Sequence, residues 1–220
     1  MKRNLLTMLL VGLCSLTASA HDFEYRGIFY NIISEDDLTV EVTFQGDSYD
    51  SYSHEYSGRA VFSSTVTYNG IIYSVTRIGD NAFSGCSSLT SITIPEGVTS
   101  IGEYAFRDCS SLTSITVPES MTSIGWGAFD DCGITAVYIN NISAWCNIEF
   151  DDANRSFSEN YKLYLNGELV TALNIPEGVT RIGDNAFRGC SSLTSITIPE
   201  GVTSIGEYAF INCTKVRLLS

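Results

Sequence analysis

The chain has 220 residues, 44% of them apolar and 17% charged, with mean hydropathy +0.10. That composition supports a packed core and excludes an intrinsically disordered chain. Twelve Lys and Arg against 25 Asp and Glu give a net charge of −13, which repels nucleic-acid phosphates and anionic membranes, and two His leave little for metal or acid–base chemistry.

Residues 1–20 read as a secretory leader. Lys2 and Arg3 supply the positive start, Leu5 to Leu16 the apolar stretch, and Ala18-Ser19-Ala20 a small-x-small cleavage site before His21. The stretch is too short for a membrane span, and no later segment offers one. Leu13 before Cys14 speaks against lipidation, which wants a small residue there. Cleavage leaves 10 Lys and Arg against 25 acidic residues, a charge of −15. The expected location is secreted or cell-surface.

Residues 21–64 differ in kind from the rest of the chain. Phe23-Glu24-Tyr25, Ile28 to Ile33 and Leu38 to Phe44 read as strands, and Gln45 to Ser57 as a polar loop. The plain reading is a β-rich cap over the first repeat, as repeat arrays require; the sharper one is a separate ligand-binding domain. Thr65 to Tyr68, Asn69-Gly70 and Ile71 to Tyr73 then predict a hairpin with a two-residue turn.

From there the chain repeats itself. Ile78-Gly79-Asp80-Asn81-Ala82-Phe83 recurs from Ile101, Ile124, Ile182 and Ile205, with 23 residues between successive copies within each run. Residues 78–106 and 182–210 are the same text apart from Ser84 against Arg188. Within a unit, Leu89, Ile92 and Ile94 belong to a strand ended by Pro95, while Val98, Ile101, Ala105, Phe106 and Cys109 follow a looser return limb with one helical turn. One such unit buries too little apolar surface to offset the ordering of its backbone. Units must therefore stack, with strands pairing between coils. The expectation is a β-rich repeat solenoid over residues 65–220.

The text ITIPEGVTSIGEYAFRDCSSL resembles the BspA-type leucine-rich repeat of secreted and surface proteins of host-associated bacteria. That resemblance covers residues 65–220. It implies a leucine-rich-repeat fold and a recognition or adhesion module that binds extracellular proteins, with no catalytic residues to carry over.

The array is interrupted at about 134–174, where one coil carries 13 extra residues. Asn140 to Ile148 reads as a short capped helix, Asp151 to Asn160 as an exposed loop, and Lys162 to Val170 as a second Asn-Gly hairpin. Elsewhere the outward strand positions form a uniform Ser/Thr ladder: Thr90, Ser91, Thr93; Thr113, Ser114, Thr116; Thr194, Ser195, Thr197. Only the irregular coil changes that face, so a ligand site is expected there. Its candidate residues are Thr93, Thr116, Tyr138, Asn140, Trp145, Asp151 and Asp152, with core packing the preferred role of Trp145. An extracellular protein is the expected ligand; a glycan, or a spacer role in a larger surface assembly, is the alternative.

Other chemistry is thin. Cys86, Cys109, Cys132, Cys190 and Cys213 share one repeat position, which predicts a buried ladder of thiols, with Cys132–Cys146 the best disulfide exception. Two acidic columns, Glu96/Glu119/Glu177/Glu200 and Asp80/Glu103/Asp184/Glu207, read as solvated charge. A spaced Asp/Asn calcium loop, a C-x-x-C pair and the common nucleophile and phosphate-loop motifs are all missing, so no cofactor, metal or enzymatic activity is expected. Asn141, Asn154 and Asn212 fit the glycosylation acceptor pattern of a eukaryotic secretory route. The last coil stops before a polar cap, which predicts fraying or association through it, against blunting of the edge by Lys215 and Arg217.

Overall fold

The computed structural model describes residues 21–45, 56–151, 157 and 160–216. Residues 1–20, 46–55 with His54, 152–156 with Asp152 and Asn154, 158–159 and 217–220 with Arg217 lie outside the described residues. Strands β1 (Phe23–Tyr25), β2 (Ile28–Ser34) and β3 (Thr39–Thr43) form an antiparallel meander. β4 (Gly58–Val61) comes next, and then the hairpin of β5 (Thr65–Tyr68) and β6 (Ile71–Ile78). Asn69 and Gly70 both take positive φ, 51° and 81°, as a type I′ turn demands. β3 pairs with β6 in parallel, so the N-terminal meander and the first coil share one sheet. Tyr56 fastens them further: its hydroxyl donates to Thr43 O at 2.8 Å and accepts from Phe29 N at 3.2 Å.

Each regular coil then contributes two strands to two different sheets. The longer strands β7 (Leu89–Thr93) and β9 (Ser114–Thr116) carry the Ser/Thr ladder, and the two-residue strands β8 (Ser100–Ile101) and β10 (Ser123–Ile124) lie beyond the Pro turn. β6, β8 and β10 pair in parallel at the repeat register, Ile78 beside Ile101 beside Ile124. Between the sheets the phenylalanines stack. Phe83 and Phe106 lie 5.0 Å apart at 3°, Phe106 and Phe129 5.3 Å apart at 3°. The spacing matches the rise between adjacent strands, which is why one residue type at one repeat position fills the core.

The irregular segment holds β11 (Ala136–Ile139), α1 (Ile142–Cys146), β12 (Glu149–Phe150), β13 (Lys162–Leu165) and β14 (Glu168–Leu169). Asn141 caps α1, its Oδ1 accepting Ala144 N–H at 3.1 Å, as the sequence predicts. Not one but two ladder strands lie in this segment, since β13 pairs in parallel with β11, Leu163 beside Val137. The expected loop is not wholly exposed. Phe157 is buried and stacks on Phe129 at 4.9 Å, continuing the phenylalanine column with a residue outside the repeat spacing. β15 (Ala172–Asn174), β16 (Arg181–Ile182), β17 (Ser195–Thr197) and β18 (Ser204–Ile205) then resume the array as two parallel pairs, β15–β17 and β16–β18. β12 pairs with β10, and among the described residues β16 pairs only with β18, so the short-strand sheet is broken between β12 and β16.

The cysteine column is buried or half-buried and free of disulfides among the described residues. Cys109 Sγ donates to Phe83 O at 3.0 Å, Cys132 to Phe106 O at 2.7 Å and Cys213 to Phe187 O at 3.1 Å. A thiol here is therefore a small hydrophobe that also satisfies the previous coil's turn carbonyl. The acidic columns are likewise more than solvated charge. Glu96 accepts from Glu119 N at 3.1 Å and Ser120 N at 3.2 Å, tying one coil to the next. No helix among the described residues is long and apolar enough to cross a membrane.

Candidate functional site

Strand alternation turns every second ladder residue outward. Val61 lies beside Thr93, and Thr116 beside Tyr138, which lies beside Tyr164 and through it Leu169. Thr93 and Thr116 are exposed, and the Thr116 hydroxyl rung leads directly to an aromatic step. The Tyr138 and Tyr164 rings stack with centroids 4.7 Å apart and planes 21° from parallel, both half-buried. Lys162 flanks them on the same strand as Tyr164, opposite Ala136 and through it Ser114. Asn140 is exposed just past the end of β11. Thr116 and Tyr138 thus sit side by side, with Asn140 just past the end of the same strand, while Thr93 lies on the neighbouring coil's strand, paired with β4.

Two candidates leave that group, Trp145 and Asp151. Trp145 is 1% exposed, and its Nε1 donates to Ala186 O at 2.7 Å. It packs edge-on to Phe150 and stacks near Phe157, so it belongs to the core that carries the array across its break. The reason is geometric: the five-residue helix turns its apolar side chains Ile142, Trp145 and Cys146 inward together, and the indole N–H then finds a carbonyl. Asp151 comes directly after β12 and lies on the short-strand side of the core, not beside Tyr138. Together with Glu149, Arg181 and Asp184 it walls a trough of about 530 Å³ floored by Ser100, Ser123 and their neighbouring glycines. Asp152 lies outside the described residues.

Tyr164 and Leu169 escaped the sequence reading. Their signal was present as the matched apolar-Tyr-apolar triplets Val137-Tyr138-Ile139 and Leu163-Tyr164-Leu165. The triplets lie 26 residues apart rather than 23, so a search at the repeat period passes over them. Acidic side chains around the trough serve the backbone: Asp80 Oδ1 accepts from Glu103 N at 3.0 Å and Asp184 Oδ1 from Glu207 N at 2.8 Å. Burial pushes the thiol of Cys146 up to about 12 and the Tyr30 hydroxyl, also raised by Tyr25, to about 12, as expected of core groups.

The arrangement offers a flat hydroxyl and aromatic face suited to binding. Among the described residues, no three His, Cys, Asp or Glu side chains come together as a metal site requires.

Among solved structures, a leucine rich cell surface protein of Faecalibacterium prausnitzii is similar at 25% identity and a TM-score of 0.51, over 89% of this chain and 53% of that one. This chain therefore spans about half the length of that protein. A leucine rich repeat protein of T. pallidum is similar at 21% identity and a TM-score of 0.48, over 89% of this chain and 90% of that one. No curated protein matches the chain. The sequence does match the BspA type leucine rich repeat region in six copies, over residues 53–157 and 159–219. With its five spaced Ile-Gly-x-x-Ala-Phe motifs stacked as parallel coils, the chain belongs to the BspA-type leucine-rich-repeat family.

Proposed function

We propose that the chain is a secreted or cell-surface recognition module that binds an extracellular protein through its ladder face and performs no catalysis. The family suggests protein interaction or adhesion at a bacterial surface, and the leader-like residues 1–20 support export. Residues 21–64 act in this reading as the cap of the solenoid, a role supported by the β3–β6 pairing. The observation that carries the site is the Tyr138–Tyr164 stack, the one aromatic pair on the ladder strands among the described residues. Aromatic side chains held rigid by a sheet dominate binding energy at interfaces, and Thr, Asn and Lys neighbours supply the polar rim.

Stacked tyrosines flanked by hydroxyls also suit a sugar ring, so a glycan is the second reading. An array of extracellular matrix proteins and polysaccharides, probed with the chain from His21 onward, separates the two. A protein hit that loses roughly tenfold in affinity, about 1.4 kcal/mol, on Tyr138→Ala or Tyr164→Ala supports the proposal. A polysaccharide-only hit favours the second reading. Protein binding untouched by both substitutions overturns the site.

A further inference from the structure

A second surface stands apart from the ladder face, between the β2–β3 turn and the tip of the β5–β6 hairpin. Here Leu38 and Ile71 are 39% and 44% exposed. With Ile32, Tyr68 and Tyr73 they line a cleft of about 410 Å³, and Glu35, Asp36 and Asn69 complete its wall. Apolar side chains of this size are left in water at a cost of about 25 cal/mol per Å², so a cluster of them in a concavity marks a contact surface.

The backbone of Leu38 fixes where its side chain stands. It sits at φ 52°, in the left-handed region that glycine and asparagine tolerate and leucine resists. Arg26, Tyr104 and Tyr208 take the same conformation at other turns, and Leu38 does so with its side chain 39% exposed. The turn itself is firm. Ser34 Oγ donates to Asp37 Oδ2 and accepts from Asp37 N, both at 3.0 Å, and Ser74 N donates to Leu38 O at 2.8 Å.

Charge selects the occupant. The lining contains no Lys or Arg. Among the described residues, the Glu35 and Asp36 carboxylates have no side-chain partner, since only Asp37 is engaged within the turn. An apolar cleft with an acidic lip favours an apolar group with positive charge beside it. We propose that this cleft docks a partner polypeptide through one aliphatic or aromatic anchor side chain flanked by lysine or arginine. This inference is independent of the ladder-face reading and survives its failure.

The chain's own leader is the competing occupant, because it joins the chain just before β1, whose Phe23 lies beside Tyr30 of β2. The test therefore uses the chain from His21 onward, the form left by the expected cleavage. The probes are the pentapeptides Lys-Lys-X-Lys-Lys with X as Leu, Phe or Gly, titrated against the ¹⁵N-labelled protein. The Leu and Phe peptides should shift the amides of Leu38, Tyr68 and Ile71, with binding weakened by salt, and the Gly peptide should not. Ile71→Lys should lower affinity by roughly tenfold, the worth of one buried aliphatic contact. Leu38→Gly should lose the same binding while the unfolding midpoint holds or rises, because the left-handed strain is relieved. Equal shifts with the Gly peptide, no shifts at these amides, or a fall in stability of Leu38→Gly matching its loss of binding would each overturn the proposal. So would concentration-dependent dimerisation abolished by Ile71→Lys, which would assign the cleft to a second copy.

Discussion

Asp80 Oδ1 accepts the backbone N–H of Glu103 at 3.0 Å, and Asp184 does the same for Glu207 at 2.8 Å. The first of the two acids in each pair is structural, bonding the next coil's turn, while the second is an outward carboxylate. Asp80→Ala should cost about 1–2 kcal/mol in urea unfolding, the range of a charge-assisted bond to a backbone amide, and Glu103→Ala should stay within about 0.5 kcal/mol of wild type. Equal effects at both positions would return the acidic column to plain solvation.

The glycine beside that bond allows no side chain. A Cβ on Gly102 would lie 2.2 Å from Asp80 Oδ1 and 2.6 Å from Asp80 N, with the backbone leaving no room to retreat. Gly102→Ala should therefore destabilise by roughly 2–4 kcal/mol, as overpacking against main chain does. Gly206→Ala faces the same contacts with Asp184 and should behave alike. A thermal melt of each variant checks both.

The two tryptophans should separate cleanly in fluorescence. Trp126 is 43% exposed and Trp145 1%. Acrylamide should quench Trp126 alone, and Trp126→Phe should leave a blue-shifted, protected emission. Trp145→Phe should cost roughly 2–4 kcal/mol, since it leaves Ala186 O without its donor and opens space in the core.

Alkaline pH should unfold the chain through its thiols. Burial holds Cys146 at about 12 and, with Cys190 nearby, Cys213 at about 11, against an ordinary 9.0. Folded values above unfolded ones mean that this stability is fully present below about pH 9 and is lost as pH rises toward 11 and 12. Unfolding midpoints should hold up to about pH 9 and fall beyond it, and intact mass after alkylation of the unfolded chain should show six free thiols from His21 onward. Disulfides in that measurement would overturn the thiol ladder.

Equivalent repeat positions should differ in cost by their cover. Ile101 is 2% exposed and Ile205 51%. In urea unfolding, Ile101→Ala should cost roughly 2–5 kcal/mol and Ile205→Ala under about 0.5.

Periodicity alone determined the coil. Isoleucine, phenylalanine and cysteine recurring at 23 residues can be buried together only by stacking, so the parallel strands and the core columns of Phe83, Phe106 and Cys109 were legible in the sequence. The Asn-Gly hairpins and the Asn141-capped helix were legible too, because turn and cap chemistry is local. What the tertiary structure decided lies where the period fails. The stacking of Tyr138 on Tyr164, the burial of Trp145 against Ala186, the entry of Phe157 into the core and the separation of Asp151 from Tyr138 all depend on how the irregular segment meets its neighbours. Those partners lie at no fixed spacing along the chain, and a side chain's direction there is set by the space the adjacent coils leave open rather than by its own position in a repeat.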